Sequence, residues 1–217
     1  MKICGSWKCN VGVLAGLLFA GAVLAGSLDP TDPPGSTMRT LQDIYDKLEE
    51  IDGKVQNSVA QTGQTTSYQA GDDGDHEQGV AWPNPRYTDH GDTVTDNLTG
   101  LMWTKNSNLP GGTRNWSGAL EYCNNMNSGA GTYGYTDWRL PNVCELQSLI
   151  DYGRFNPALP SGHPFTNVGT DLSHWSSTTD ADNTSHAWYV RMYDGSVRDA
   201  GSKTSAYYYV WPVRGGK

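Results

Sequence analysis

Thr93-Val-Thr95, Asp96-Asn-Leu-Thr-Gly100 and Leu101-Met-Trp103 read in that order as a strand, a tight turn and a strand. β-branched and aromatic residues flank a run of turn formers, the local signature of a hairpin. Beyond it the period changes. Asn115 offers a side-chain oxygen as an N-cap, and Trp116, Ala119, Leu120, Cys123 and Met126 fall on one helical face until Asn127 to Gly131 stop the pattern. Asn142-Val-Cys-Glu145 sets a capping residue three positions before a glutamate, and so opens a second helix that buries Val143, Leu146, Leu149 and Ile150. Strand chemistry then returns in His174-Trp-Ser-Ser-Thr178. It continues in Ala187 to Tyr193, where Trp188, Val190 and Met192 alternate with Tyr189, Arg191 and Tyr193 before a turn at Asp194-Gly195. Tyr208 to Arg214 is the last expected strand, confined by Pro212 to an edge or a bulge. The expected class is α+β, with two helices and a small antiparallel sheet.

Working towards the N-terminus, the compact domain is expected over residues 87–217. Residues 59–86 form an irregular lead-in that Tyr68, Val80 and Trp82 pin down. Its Gly71-Asp-Asp-Gly-Asp75 turn offers oxygen ligands to Ca²⁺, but it lacks the spaced positions and terminal bidentate glutamate of the known calcium loop, so a solvated turn is expected. In residues 37–58, Leu41, Ile44, Leu48, Ile51 and Val55 recur at spacings of three and four, the seam of a short coiled-coil-like N-terminal helix. Leu followed by Ile at the seam positions favours three or four strands, so a homotrimer is expected, with docking of the helix on its own domain as the alternative. Residues 26–36 are a Pro-rich linker. Lys2 and Lys8 precede an apolar run from Val11 to Ala25, which reads as a signal peptide over 1–25, with a retained anchor as the alternative.

Export bears on the cysteines. Cys4 and Cys9 fall inside the signal, which leaves Cys123 and Cys144, an even count in a compartment where disulfides persist. A disulfide between them is expected, closing a loop of about 20 residues and contributing on the order of 3 kcal/mol. The five histidines, His76, His90, His163, His174 and His186, show no zinc-ligand spacing, and no nucleophile elbow or phosphate loop is present. Losing residues 1–25 removes two lysines and takes the formal charge from −8 to −10. Scattered cations on so acidic a chain argue against a nucleic-acid partner.

Several of these stretches together resemble the Legionella collagen-like protein C-terminal domain family, whose fold is placed near the C-type lectins. Those that carry the likeness are Val94 to Trp103, Trp116 with Ala119, Tyr122 and Cys123, Asp137-Trp-Arg-Leu-Pro141 with Glu145-Leu146, Trp175-Ser-Ser-Thr178 and Val213-Arg-Gly215. The resemblance implies a C-type-lectin-like domain in an exported bacterial surface or secreted protein that binds a ligand or adheres. A sulfated polysaccharide, associated with one relative, suits this acidic chain poorly. The tryptophans among these residues are expected in the core, with Asp137 and Arg139 pairing beside Trp138.

Residues 180–209 differ in kind. Five Tyr, four Asp, four Ser and four Ala with Asn183 and His186 make a paratope-like mixture, similar to the variable regions of C-type-lectin-like proteins diversified by retroelements. An ordinary tyrosine-rich sheet face is the alternative. The candidate ligand-binding residues are Asp180, Asp182, His186, Tyr189, Arg191, Tyr193, Arg198, Asp199, Tyr207 and Tyr208. The expected partner is a protein or glycan at a cell surface, with no catalytic residue, metal or cofactor. The alternatives are an oligomeric structural subunit of an appendage or envelope and a divergent formylglycine-generating-type enzyme.

Overall fold

The structure is a computed structural model that describes residues 43–47, 59–169 and 173–215. The expected signal peptide, the Pro-rich linker and all of the heptad seam but Ile44 lie outside the described residues. Two compact units are distinguished, residues 1–49 and 50–217. In the first, residues 43–47 form a helical turn, α1, with every side chain exposed. Among the described residues no helix is long and apolar enough to cross a membrane.

The second unit is α+β. Its first sheet is antiparallel, in the order β1 (Tyr87–Asp89), β2 (Thr93–Asp96), β3 (Met102–Thr104) and β7 (Val213–Arg214). Its second is β4 (Ser173–Thr179), β5 (His186–Arg191) and β6 (Val197–Ser202), also antiparallel. The single sheet expected from the sequence is therefore two, and the last strand shows why. Tyr208 bridges to Arg114 and Tyr209 to His174, beside the second sheet, while Val213 and Arg214 join β3 in the first. Between them Pro212 has no N–H to continue a ladder, although its carbonyl still accepts from Thr104 N at 3.1 Å.

Both helices form where their caps place them. Asn115 Oδ1 accepts from Gly118 N at the start of α3 (Trp116–Asn125), and Asn142 and Glu145 complete the capping box of α4 (Val143–Gln147). One apolar cluster joins Val94, Trp103, Leu146, Leu149, Val190 and Trp211; a second joins Ala119, Cys123, Leu140, Trp175, Ala187 and Val210. Trp103, Trp138, Trp175 and Trp211 are fully buried, as expected, whereas Trp116 is only partly covered. Trp103 and Trp211 meet edge to face at 5.6 Å, a favoured aromatic geometry.

The cysteines do not pair: Cys123 and Cys144 are free thiols. Cys123 faces the second apolar cluster, 1% exposed. Cys144 lies two residues before buried Leu146, about 200° round the helix at 3.6 residues per turn, and so faces solvent. Asp137 and Arg139 each have an ion-pair partner further along the chain. Arg139 forms a fork with Glu145 at 2.7 and 2.6 Å and donates to Gly215 O, while Asp137 accepts from Arg214 Nε at 2.6 Å. Trp138 between them points into the core, so the two share the outward side, and the Asp137 charge still acts on Arg139 behind the larger effect of Glu145.

The lead-in packs on the rest of this unit. Ala60 and Val80 form a parallel bridge. Asp72 caps the single turn α2 (Asp73–His76), accepting from Asp75 N, Tyr68 N and Gln69 N, so the acidic turn is organised by its own amides. No group of three or more His, Cys, Asp or Glu among the described residues has a metal-binding arrangement. Arg86, 7% exposed, forks onto fully buried Asp96 at 2.8 and 3.1 Å and donates to Ser148 O at 2.8 Å. Asp96 in turn accepts from Leu98 N and Thr99 Oγ1 and so shapes the β2–β3 turn.

Candidate functional site

The ten residues singled out in the sequence all fall on the second sheet and its connections, but they do not form one patch. β5 alone, with His186 at one end and Arg191 at the other, spans about 17 Å at 3.3 Å per residue. The residues divide into a β4–β5 loop group, a mid-sheet group and a hairpin-tip group.

At the β4–β5 loop, Asp182 is exposed, His186 half-buried and Asp180 buried. Asp180 is committed to the loop: its N–H donates to His186 O and its Oδ1 accepts from Asp182 N at 3.0 Å. His186 Nδ1 lies 3.3 Å from Asn183 Nδ2. Lys203, the single lysine of residues 180–209, ties this loop to β6. Its Nζ donates to Thr179 Oγ1 and Thr184 O and sits 4.2 Å from the centre of the Trp116 ring. Sequence reading passed over Lys203 and Trp116 because neither carries a site pattern; only the uniqueness of the lysine in that stretch marked it.

In mid-sheet, Tyr189 stands across from Trp175 on β4 and Arg198 on β6. The Tyr208 ring lies 4.6 Å from that of Trp175 and 4.4 Å from that of Tyr189. Burial, followed by its hydrogen-bonding contact with Tyr189, pushes the Tyr208 phenol up to about 12, so it stays a neutral donor at physiological pH. These two tyrosines are half-buried packing as well as surface. Next to them Tyr207 is 58% exposed, and Arg198 and Asp199 are exposed.

At the hairpin tip, the Arg191 guanidinium lies 4.9 Å from the centre of the Tyr193 ring and 3.3 Å from Asp194 Oδ2. Tyr193 meets Phe155 edge-on at 6.5 Å. Ser196 and the nearby arginines hold the Asp194 carboxyl below the usual range, against the opposing effect of its slight burial. The expected alternation also breaks here. Pairing shifts from Ala187 with Gly201 to Tyr189 with Arg198, a bulge that adds a residue to β6. On β5 itself Val190 and Met192 are buried as the alternation expects, but so is Ala187, while Trp188 is only partly covered.

Cys123 lies in the apolar cluster behind this face, and burial pushes its thiol up to about 12, the reverse of an activated nucleophile. Residues 92–214 match the family model described as the Lcl C-terminal domain. No curated protein matches the chain.

Proposed function

The chain belongs to the Lcl C-terminal domain family, and from that premise we propose that it is an exported surface or secreted binding protein. Its domain is C-type-lectin-like, and its partner, a protein or glycan at a cell surface, is held by the mid-sheet tyrosine face. The observation that carries this reading is the grading of that face. The Tyr208 ring is held between those of Trp175 and Tyr189, while Tyr207, Arg198 and Asp199 project beside them into solvent. Rigid aromatic anchors that lose little entropy, edged by adaptable polar groups, suit capture of a macromolecule. The protein is not an enzyme on this reading, and it needs no cofactor: a buried thiol held protonated suits packing better than catalysis.

Capture of cell-surface proteins and arrayed glycans by the purified protein tests the proposal. Tyr207→Ala together with Arg198→Ala should abolish capture of at least one cell-surface protein or glycan at an unchanged melting temperature. A double variant that captures everything the native protein captures would refute this face as a site.

The heptad seam favours a second reading, an oligomeric structural subunit in which residues 37–58 bring three copies together. Light scattering on the purified protein with and without residues 37–58 separates the two. A trimer that falls to a monomer supports assembly through the seam, and an equal mass for both forms refutes it. If the trimer also binds, three weak sites act together through avidity.

A further inference from the structure

A cleft of about 760 Å³ lies away from the tyrosine face, between residues 61–68 of the lead-in and the loop 151–161 that follows α4. That volume falls within the range of roughly 300–1,000 Å³ typical of small-ligand sites. Its walls are built by two backbones in near contact. Tyr152 N donates to Thr62 O at 2.9 Å. Gly63, at φ +86°, leaves no room for a side chain: a Cβ there would stand 2.4 Å from Trp82 Cη2 and 2.5 Å from Asp151 Oδ1. A Cβ on Gly153 would stand 2.7 Å from Gly63 O. Trp82 is fixed by donation from its Nε1 to Gln61 O at 2.9 Å and by the Arg86 guanidinium 4.7 Å from its ring centre. The cleft is therefore a shaped depression with a rigid aromatic wall, and glycine at these two positions keeps it so.

The lining defines the ligand chemistry. Tyr68 and Phe155 are 81% and 74% exposed at the rim, with Tyr152 beside them. Between the rings stand amide and hydroxyl groups of Gln64, Thr65, Thr66 and Ser161. The carboxylate in the lining, Asp151, is 6% exposed; it accepts from Gly153 N at 2.9 Å and faces Arg154 Nε at 3.5 Å. Charge is thus balanced within the site. Exposed ring faces carry negative quadrupole and attract weakly positive C–H groups, while the amides and hydroxyls exchange hydrogen bonds with neutral polar groups. A ligand complementary to both has flat C–H faces edged by hydroxyls and no net charge. A purely apolar ligand would leave the polar lining unpaired. An extended peptide would lack a strand edge to add to, since no strand lies in residues 61–68 or 151–161.

We infer that this cleft is a binding site for an uncharged oligosaccharide, with Tyr68, Trp82 and Phe155 as stacking surfaces and Asp151 as a fixed acceptor for a sugar hydroxyl. The site lies in part outside the matched segment 92–214, and the inference does not depend on the tyrosine face.

The test is calorimetric titration of the purified full chain with uncharged hexasaccharides of glucose, mannose, galactose and N-acetylglucosamine, with heparin hexasaccharide and a mixed-sequence hexapeptide alongside. At least one neutral sugar should bind. Tyr68→Ala and Phe155→Ala, both at exposed positions, should each weaken it roughly fivefold or more, the loss expected when a contacting aromatic is truncated. Tyr207→Ala should leave it unchanged, so the failure of one site is distinguishable from the failure of the other. Absence of binding to all four sugars overturns the inference. So does tighter binding of heparin or the peptide, or sugar binding indifferent to both rim variants.

Discussion

The four-stranded sheet is closed by groups with no access to water, whereas the three-stranded sheet is closed by groups still half in it. On the first, Arg86 and Asp96 meet at 7% and 0% exposure, and Trp103 packs on Trp211 behind them. On the second, Tyr189 and Tyr208 cover Trp175 while part of each ring remains outside. The difference separates two duties that share one fold. Groups sealed from water set stability, and groups at its boundary are available to a partner at little structural cost.

The largest effect should come from breaking the sealed side. Asp96→Ala leaves the Arg86 guanidinium buried without its counter-ion and removes the acceptor that shapes the β2–β3 turn. A loss of about 3–5 kcal/mol in urea unfolding is expected. Asp199→Ala, on the exposed side, should change stability by less than about 0.5 kcal/mol. Equal losses at the two positions would dissolve the contrast.

Acid probes the join between the sheets. His174 on β4 bridges to Tyr209, stacks beside Trp211 and is fully buried, and burial lowers its pKa from 6.5 to about 4. The folded state therefore resists a proton that the unfolded chain accepts. Stability from this group is complete above pH 6.5 and is lost as pH falls towards 4, by about 3 kcal/mol in all. Unfolding free energies across that interval should show the slope, and His174→Phe should flatten it.

Within the tyrosine face the comparison sharpens to neighbours. Tyr208→Ala uncovers Trp175 and should cost about 2 kcal/mol, below the usual 3–5 for a fully buried aromatic because this ring is half in water. Tyr207→Ala, one residue away, should cost less than about 0.5 kcal/mol. Thermal melts of the two variants measure the difference.

What the sequence made legible follows the same division. Asn115, Asn142 and Glu145 act on amides within three residues of themselves, so both helix starts could be read directly. The buried tryptophans were legible because size and apolarity leave few alternatives. Partners across the chain were not. Arg139 reaches Glu145 and Gly215, and Asp137 reaches Arg214, 77 residues on, because β7 is brought there by tertiary pairing with β3 and Arg139. In the candidate site composition pointed to residues that share the second sheet, but register shifts towards both neighbouring strands around Ala187 to Tyr189 broke the expected alternation, and nothing in local alternation announces a bulge. The cleft escaped entirely, since its wall depends on Gly63 meeting Asp151 and Trp82 from distant segments.

The two cysteines carry this lesson to its smallest measurable scale. An even count in a chain expected to be exported argued for pairing, yet helix register decides against it by turning Cys144 outward and Cys123 inward. Of these two thiols, labelling of the native protein should modify Cys144, with Cys123 reacting only after denaturation, because burial both shields it and holds it protonated. Cys144→Ser should then shift the unfolding free energy by less than about 0.5 kcal/mol, where loss of a native disulfide would cost about 2–5. A denatured protein that yields no free thiol from either position would restore the bridge, and would require α4 to present the opposite face to α3.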